Sequence, residues 1–401
     1  MINVAILGFG VVGSGTAEVL TMNKESIEKK VGDSVNIKYI LDLRDFPDSP
    51  FSDKIVHDFD IILNDPEVSV VAEVMGGSHP AFEFSMMALE AGKSVVTSNK
   101  EVVANFGDKL LACAAEHGVR YLFEASVGGG IPVLSPIMND LSANKITKIA
   151  GILNGTTNYI LTQMLFEGKS FDTALREAQA KGYAEANPSA DVDGIDACRK
   201  ICILAALAYG KLVDTADIPT EGITKIRSED VAFASEMGYA VKLIGYTEEI
   251  DGKIAIMVSP RLIEKSGMLA NIHDVFNGIS VKGNAVNEVM FYGPGAGKLP
   301  TASAVAADMI NIMANRDNKI APLAWAKADK SDMYDMDDYV CRRFVSTNAS
   351  ASELEKAFGK FDAVMSENGE WAAITAPMSE KDFKKAVESS GIKLLGDIRV
   401  L

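Results

Sequence analysis

The pattern GFGVVG, with glycines at Gly8, Gly10 and Gly13, sits between a short apolar run from Val4 to Leu7 and a helix-compatible stretch, SGTAEVLTMNKESIEKK. A second apolar run, VNIKYILDL, follows. Strand, glycine turn, helix and strand in that order is the context in which three such glycines cradle a dinucleotide. The first glycine permits the tight turn. The second lets a pyrophosphate approach the backbone. The third lets helix and strand pack closely, with the phosphates at the helix N-terminus.

The second run ends in Leu41-Asp42-Leu43-Arg44-Asp45, where the adenosine ribose of such a ligand would lie. Asp42 suits a ribose 2′-hydroxyl and hence NAD; Arg44 suits a 2′-phosphate and hence NADP. The two point in opposite directions, and either could simply be solvated, so the choice stays open. Alternation continues with VSVVAEVMGG, HPAFEFSMMALEAG, KSVVTSNK, DKLLACAAEHG and VRYLFEASVGGGIP. It predicts a parallel sheet with helices on both faces and ligands beyond the carboxyl ends of the strands. Thr97 and Lys100 lie at such an end, which favours a functional Lys100 over a merely solvated one.

A chain of 401 residues implies two or three domains. Its net charge of −16 leaves no basic surface to track phosphates and argues against a nucleic-acid binder. The acidic stretch DKSDMYDMDDY at 329–339 reads as a solvated linker. Cys113, Cys198, Cys202 and Cys341 form no C-x-x-C pair and suit a reducing compartment. The opening residues read as a strand rather than a leader, and no apolar run has the length of a membrane span. The expectation is a soluble, cytoplasmic protein.

The middle of the chain changes character. NGTTN at 154–158 reads as a turn into a helix, with Thr156 or Thr157 as a cap and hydroxyls able to face a ligand. A polar loop from Tyr183 to Asp193 holds Glu185, Asp191 and Asp193. The next helix starts near Gly194 and places Asp196 and Lys200 on one face. On a surface such a pair contributes a few tenths of a kcal/mol, about 0.3. Two features argue for more: the rest of the helix is almost uncharged, and the preceding loop gathers carboxylates without cations. A part-buried lysine beside an aspartate can exchange a proton at an alcohol or carbonyl oxygen, and a free carboxylate can hold an ammonium group. With a nicotinamide, this describes hydride transfer on a small amino acid bearing an alcohol or aldehyde.

These residues resemble homoserine dehydrogenase. The likeness is carried by GFGVVG, TSNKEVVA at 97–104, EASVGGGIPV at 124–133, GILNGTTNYIL at 151–161, KGYAEANPSADVDGIDACRK at 181–200 and YGPGAGKLPTASAVAADMI at 292–310. They run in the family's order over about residues 1–320; the 181–200 motif is specific to the family, the glycine fingerprint is not. The resemblance implies interconversion of L-homoserine and L-aspartate 4-semialdehyde with NAD or NADP, in threonine, methionine and isoleucine biosynthesis. It makes Lys200 the general acid/base, with Asp196 orienting it and Lys100 touching cofactor and substrate with a share in proton transfer. Glu185 would hold the substrate ammonium, with Tyr183, Asp191 and Thr156 nearby. Gly8, Phe9, Gly10, Val11, Val12, Gly13, Arg44, Thr97, Lys100, Gly295 and Gly297 would line the dinucleotide. A sodium ion would sit at the Glu124 carboxylate and the backbone oxygens of Val127, Gly129 and Ile131, an oxygen-rich set suited to a hard cation.

The expected architecture is α/β throughout: an N-terminal Rossmann domain over 1–133 completed by a helix at about 298–318, and an α/β substrate and dimerisation domain over 134–297. A small α+β domain over 338–401 resembles a degenerate ACT regulatory domain. It has NASAS where that domain usually carries D-x-P-G, so feedback control by an amino acid stands against a plain packing or dimer-contact role. The implied assembly is a homodimer. Two rivals stand beside this reading. An aspartate-semialdehyde dehydrogenase needs a thiolate nucleophile, and every cysteine here falls inside a helix or strand. A dinucleotide-sensing regulator, or a dehydrogenase of another small amino-acid alcohol, would also keep the first domain; a regulator would not need Lys200 beside Asp196.

Overall fold

A computed structural model describes residues 1–318 and 321–401. Six parallel strands open the fold: β1 (Ile2–Leu7), β2 (Val35–Leu41), β3 (Ile55–Val56), β4 (Val68–Glu73), β5 (Ser94–Thr97) and β6 (Tyr121–Leu122). Their order is β3-β2-β1-β4-β5-β6. Strands β1 and β5 are buried along their whole length, which is why they read as continuous apolar runs rather than alternating ones. The winding reverses between β1 and β4, so the crevice of this doubly wound sheet lies past Leu7 and Glu73. The Lys298–Ala314 helix packs beside the Val11–Met22 helix. A Cβ on Gly15 would come within 3.1 Å of Ala302 Cβ, so the two helices nearly touch there. Val305, Met309 and Ile312 share one core with Val4, Ile6, Phe9 and Leu20. Met1–Lys145, Cys202–Thr215 and Gly293–Ala328 make up this compact unit.

The second unit comprises Ile146–Ile201, Ala216–Tyr292 and Asp329–Leu401. It is built on a nine-stranded mixed sheet. In order across the sheet these are Asn287–Pro294, Phe276–Gly283, Ile146–Ile152, Tyr239–Ile250, Lys253–Glu264, Leu394–Val400, Arg343–Thr347, Glu370–Thr375 and Phe361–Glu367. Four of the strands after residue 340, Arg343–Thr347, Phe361–Glu367, Glu370–Thr375 and Leu394–Val400, therefore extend the sheet of the middle segment. The join is a short parallel pairing, Arg261 opposite Arg399 and Leu262 opposite Val400. Lys242 and Gly245, of opposite parity on one strand, face opposite sides of the sheet. A Cβ on Gly245 would meet Ile201, which seats the Ile195–Tyr209 helix on one face. Lys242 Nζ donates to Asn158 Oδ1 at 3.0 Å, which seats the Gly155–Glu167 helix on the other.

The 329–339 stretch is not a solvated linker. Its backbone pairs with Ile254 from both sides, through Asp332 O and Tyr334 N. Tyr334, Met336 and Tyr339 pack onto the core of the sheet. The acidic residues between them carried the charge signal, while one apolar residue in every two or three anchors the strand. All four cysteines are buried thiols. Among the described residues no helix is long and apolar enough to cross a membrane.

Candidate active site

The glycine turn is held from below. Gly8 has φ of +96°, and a Cβ on Gly13 would lie 1.9 Å from the Gly8 carbonyl oxygen. Those two positions require glycine for the turn itself. Gly10 differs: a Cβ there would meet no protein atom within 4 Å. The space over Gly10, at the N-cap of the Val11–Met22 helix, is open to a ligand, as the phosphate role of the middle glycine requires. Val11 is exposed beside it, Val12 is half-buried, and Phe9 is buried edge-on against Phe46 and Phe51.

Asp42 and Arg44, which sequence sets in opposition, are bound to each other. Arg44 Nε donates to Asp42 Oδ1 at 3.0 Å and Nη2 to Oδ2 at 3.1 Å. Asp42 Oδ2 also accepts from Phe9 N at 2.8 Å and so props the glycine turn. The Arg44 guanidinium, helped by the Phe9 and Arg44 amides, holds the Asp42 carboxyl down at about 2 against the cost of burial.

Thr97 is buried and belongs to the support of the crevice. Its hydroxyl donates to Glu73 Oε2 at 2.6 Å and accepts from Asn99 N at 2.9 Å. Asn99 Oδ1 then caps the Lys100–Glu116 helix at Val102 N, leaving Lys100 half-buried as its first residue. Burial pushes the Glu73 carboxyl up to about 7.

The EASVGGGIP segment is equally committed. Glu124 Oε1 accepts from Val133 N and Leu134 N, and Oε2 from Ser135 N, at 2.6–2.9 Å. The carboxylate expected to serve a cation thus holds the start of the Leu134–Met138 helix. Val127 and Ile131 are buried, and a Cβ on Gly129 would lie 2.5 Å from Gly295 O, so the two glycine loops abut. Gly297, at φ +130°, caps the Lys298–Ala314 helix. No cluster of three His, Cys, Asp or Glu side chains suited to a metal occurs among the described residues.

Asp308 accepts from Glu124 N at 2.8 Å and is wholly enclosed, which pushes its carboxyl up to about 8. A folded value above the unfolded one means the folded chain keeps a proton that the unfolded chain releases between about pH 4 and pH 8. That contribution is therefore fully present at low pH and lost as pH rises, by at most about 1.4 kcal/mol per unit. Asp308→Asn keeps an acceptor for Glu124 N and removes the titration. Its melting temperature is expected to fall less than the parent's between pH 5 and pH 8. Parallel melting curves across that range would refute the assignment.

In the second unit Asn154 ties Asp191 to the Asp196–Lys200 pair, and Thr156 meets Tyr183. The Ile146–Ile152 strand leads into Leu153, and Asn154 caps the Gly155–Glu167 helix by accepting from Thr157 N at 2.8 Å. The Asn154 amide donates to Asp191 Oδ1 at 2.7 Å and to Asp196 Oδ2 at 2.9 Å. Lys200 Nζ donates to the same Asp196 Oδ2 and to Leu153 O, each at 2.7 Å. Both members of the pair are buried, at 8% exposure for Lys200 and 4% for Asp196. Burial pushes the Asp191 carboxyl up, and the Asn154 amide opposes that. Thr156 Oγ1 donates to Tyr183 O at 2.6 Å, and the Tyr183 ring meets Tyr159 edge-on. Glu185 stands exposed on the loop, its backbone carbonyl accepting from Gln179. Asn154 is the residue sequence reasoning missed: NGTTN was legible as a turn, but not as the bridge between two carboxylates far along the chain.

Family models agree with this architecture over most of the chain. Residues 8–124 match the NAD-binding domain of homoserine dehydrogenase and residues 132–310 match homoserine dehydrogenase itself. The homoserine dehydrogenase of Bacillus subtilis (strain 168) is 39% identical over 376 residues, covering 92% of this chain and 86% of that one. The chain belongs to the homoserine dehydrogenase family. Among solved structures, the homoserine dehydrogenase from Thiobacillus denitrificans superposes with a TM-score of 0.91 at 33% identity, over 100% of this chain and 98% of that one. A hyperthermophilic archaeal homoserine dehydrogenase in complex with NADPH superposes with a TM-score of 0.67 at 29% identity, covering 80% of this chain and 99% of that one. Homoserine dehydrogenase is an oxidoreductase acting on the CH–OH group of homoserine, and the first unit carries the nicotinamide-cofactor fold of that family. Its C-terminal 338–401 segment lies outside both family models.

Proposed function

We propose that this chain interconverts L-homoserine and L-aspartate 4-semialdehyde, on the route to threonine, methionine and isoleucine, with Lys200 exchanging the proton at the reacting oxygen. The observation that carries the reading is the buried Asp196–Lys200 pair, fixed by Leu153 O and Asn154. Two 2.7 Å bonds, to Leu153 O and Asp196 Oδ2, hold the ammonium in one place. Asp196 orients it. Glu185, with Tyr183 and Asp191 nearby and Thr156 beside the substrate, holds the amino-acid ammonium. The nicotinamide, when bound, accepts or supplies the hydride. Gly8 to Gly13, Thr97, Lys100, Gly295 and Gly297 are the residues proposed to hold the dinucleotide, and Lys100 to reach the substrate as well. A sodium ion at the Glu124 carboxylate and the backbone oxygens of Val127, Gly129 and Ile131 belongs to the same reading, and the working assembly is a homodimer.

The test is absorbance at 340 nm with L-homoserine and either NAD or NADP, at alkaline pH because oxidation releases a proton. A rise is expected. No rise with either cofactor, from folded protein that binds dinucleotide, would sink the proposal. In the same assay Arg44→Ala is expected to weaken NADP by about tenfold or more and NAD little, since one charge-assisted contact is worth about 1.5–3 kcal/mol. Equal effects on both cofactors would mean that Arg44 stays on Asp42 and never meets a 2′-phosphate.

A further inference from the structure

A short strap, Pro219 to Ile223, lies against the 192–194 turn that leads into the helix of the proposed proton-transfer residues. Its backbone is anchored on the Lys253–Glu264 strand, by Glu221 N to Val258 O at 2.8 Å and Val258 N to Pro219 O at 2.9 Å. On its other side Ile223 N donates to Val192 O at 2.8 Å. The approach there is as close as backbone allows. A Cβ on Gly222 would fall 2.1 Å from Val192 O and 2.5 Å from Asp193 Cα, so only glycine fits. Thr220 Cγ2 fills the space beside Gly194, 3.1 Å from where a Cβ would stand. Thr220 also reaches the following helix. Burial pushes the Cys198 thiol up, and Thr220, in hydrogen-bond contact with it, works the other way. Cys198 lies between Asp196 and Lys200 on that helix. The strap thus touches the turn that ends at Asp193 and, at Cys198, the back of the helix turn whose other face carries the proton-transfer pair.

What fixes the strap comes from the far end of the chain. Arg399, on the Leu394–Val400 strand, donates through Nη1 to Glu221 Oε2 at 2.7 Å. The same guanidinium is locked by Glu380, through Nε at 2.7 Å and Nη2 at 3.0 Å. Glu380 in turn is bound by Arg343, which also holds Asp397 at 2.5 Å. Arg399, Glu380 and Arg343 are all buried, so this cluster is rigid; Glu221, half-exposed, is its one reach toward the strap.

We propose that Glu221 and Arg399 are positioning residues for the reaction: their ion pair clamps the 219–223 strap and thereby sets the placement of Asp191, Asp196 and Lys200. The inference rests on the reading of Lys200 and its neighbours given above. It gives the C-terminal strand a part in turnover that does not depend on its binding any effector. Because Glu221 is half-exposed, its pair adds little to global stability. Its effect should therefore appear in kinetics, where a shift of about 1 Å at a remote support costs up to about a hundredfold.

The experiment compares Glu221→Ala, Glu221→Asp and Lys200→Ala in the full chain. Homoserine kcat and KM are measured together with cofactor Kd by fluorescence and with thermal melting. Glu221→Ala is expected to lower kcat/KM for homoserine about tenfold to a hundredfold, with cofactor Kd and melting temperature close to the parent. Glu221→Asp, which keeps the charge, should recover part of the loss. A Glu221→Ala enzyme with parental kcat/KM, alongside a dead Lys200→Ala, overturns the clamp alone. So does a loss shared equally by cofactor binding and melting temperature, which would mark general destabilisation. Parental turnover in Lys200→Ala overturns the site reading, and the clamp with it.

Discussion

Lys200→Ala is expected to lower kcat by about a hundredfold to ten-thousandfold, the range general acid–base catalysis supplies, while dinucleotide binding stays near the parental value. The cofactor fold belongs to the first compact unit and Lys200 to the second, so truncating the lysine leaves the glycine turn intact. The truncation also removes the lysine cation from the buried Asp196 carboxylate. A buried carboxylate that loses its partner is costly, and part of the effect will appear as stability. Lys200→Met, which retains the stem, separates that cost from chemistry. Titration of NADPH fluorescence beside single-turnover rates reads both quantities. A variant that binds cofactor and turns over within tenfold of the parent would remove Lys200 from the reaction.

Gly13→Ala is expected to abolish dinucleotide binding and to destabilise the first unit. The added methyl would sit 1.9 Å from Gly8 O, with Val74 Cγ2 at 3.2 Å on another side. Backbone cannot yield as a side chain can, so the helix must move off the strand. Overpacking of this kind costs about 1–3 kcal/mol. It also displaces Phe9 N from Asp42 and so loosens the turn that meets the phosphates. Gly10→Ala is the control, because a methyl there meets no protein atom. It should fold like the parent and lose affinity only through contact with ligand. Equal melting temperatures for the Gly13 and Gly10 variants would contradict this division of labour.

What was legible in the sequence was local. The glycine turn, the buried strands of the first sheet and the i,i+4 placement of Asp196 and Lys200 follow from spacing over a few residues. What was not legible depended on partners far along the chain. Asp42 and Arg44 looked like alternatives because their bond to each other forms only once the loop after β2 closes. Asn154 sits 37 residues from Asp191 and 42 from Asp196. Nothing in the sequence says that the amides of Val133, Leu134 and Ser135, about ten residues on, all turn toward the Glu124 carboxylate. The 329–339 stretch was misread because its charge count drowned the spacing of Tyr334, Met336 and Tyr339.

The Leu394–Val400 strand is the last of the nine in chain order, yet it lies between Lys253–Glu264 and Arg343–Thr347, inside the sheet. During synthesis, residues 343–375 can form their own antiparallel strands, but their seat beside the earlier hairpin exists only once this late strand has emerged. Until then both flanking strands present open edges, which other chains can pair with. Such long-range closure is slow compared with helix or hairpin formation. A nascent chain of this protein is thus most exposed to misassociation just before residues 394–400 emerge, and a frameshift upstream of them would strike an interior strand rather than a fringe.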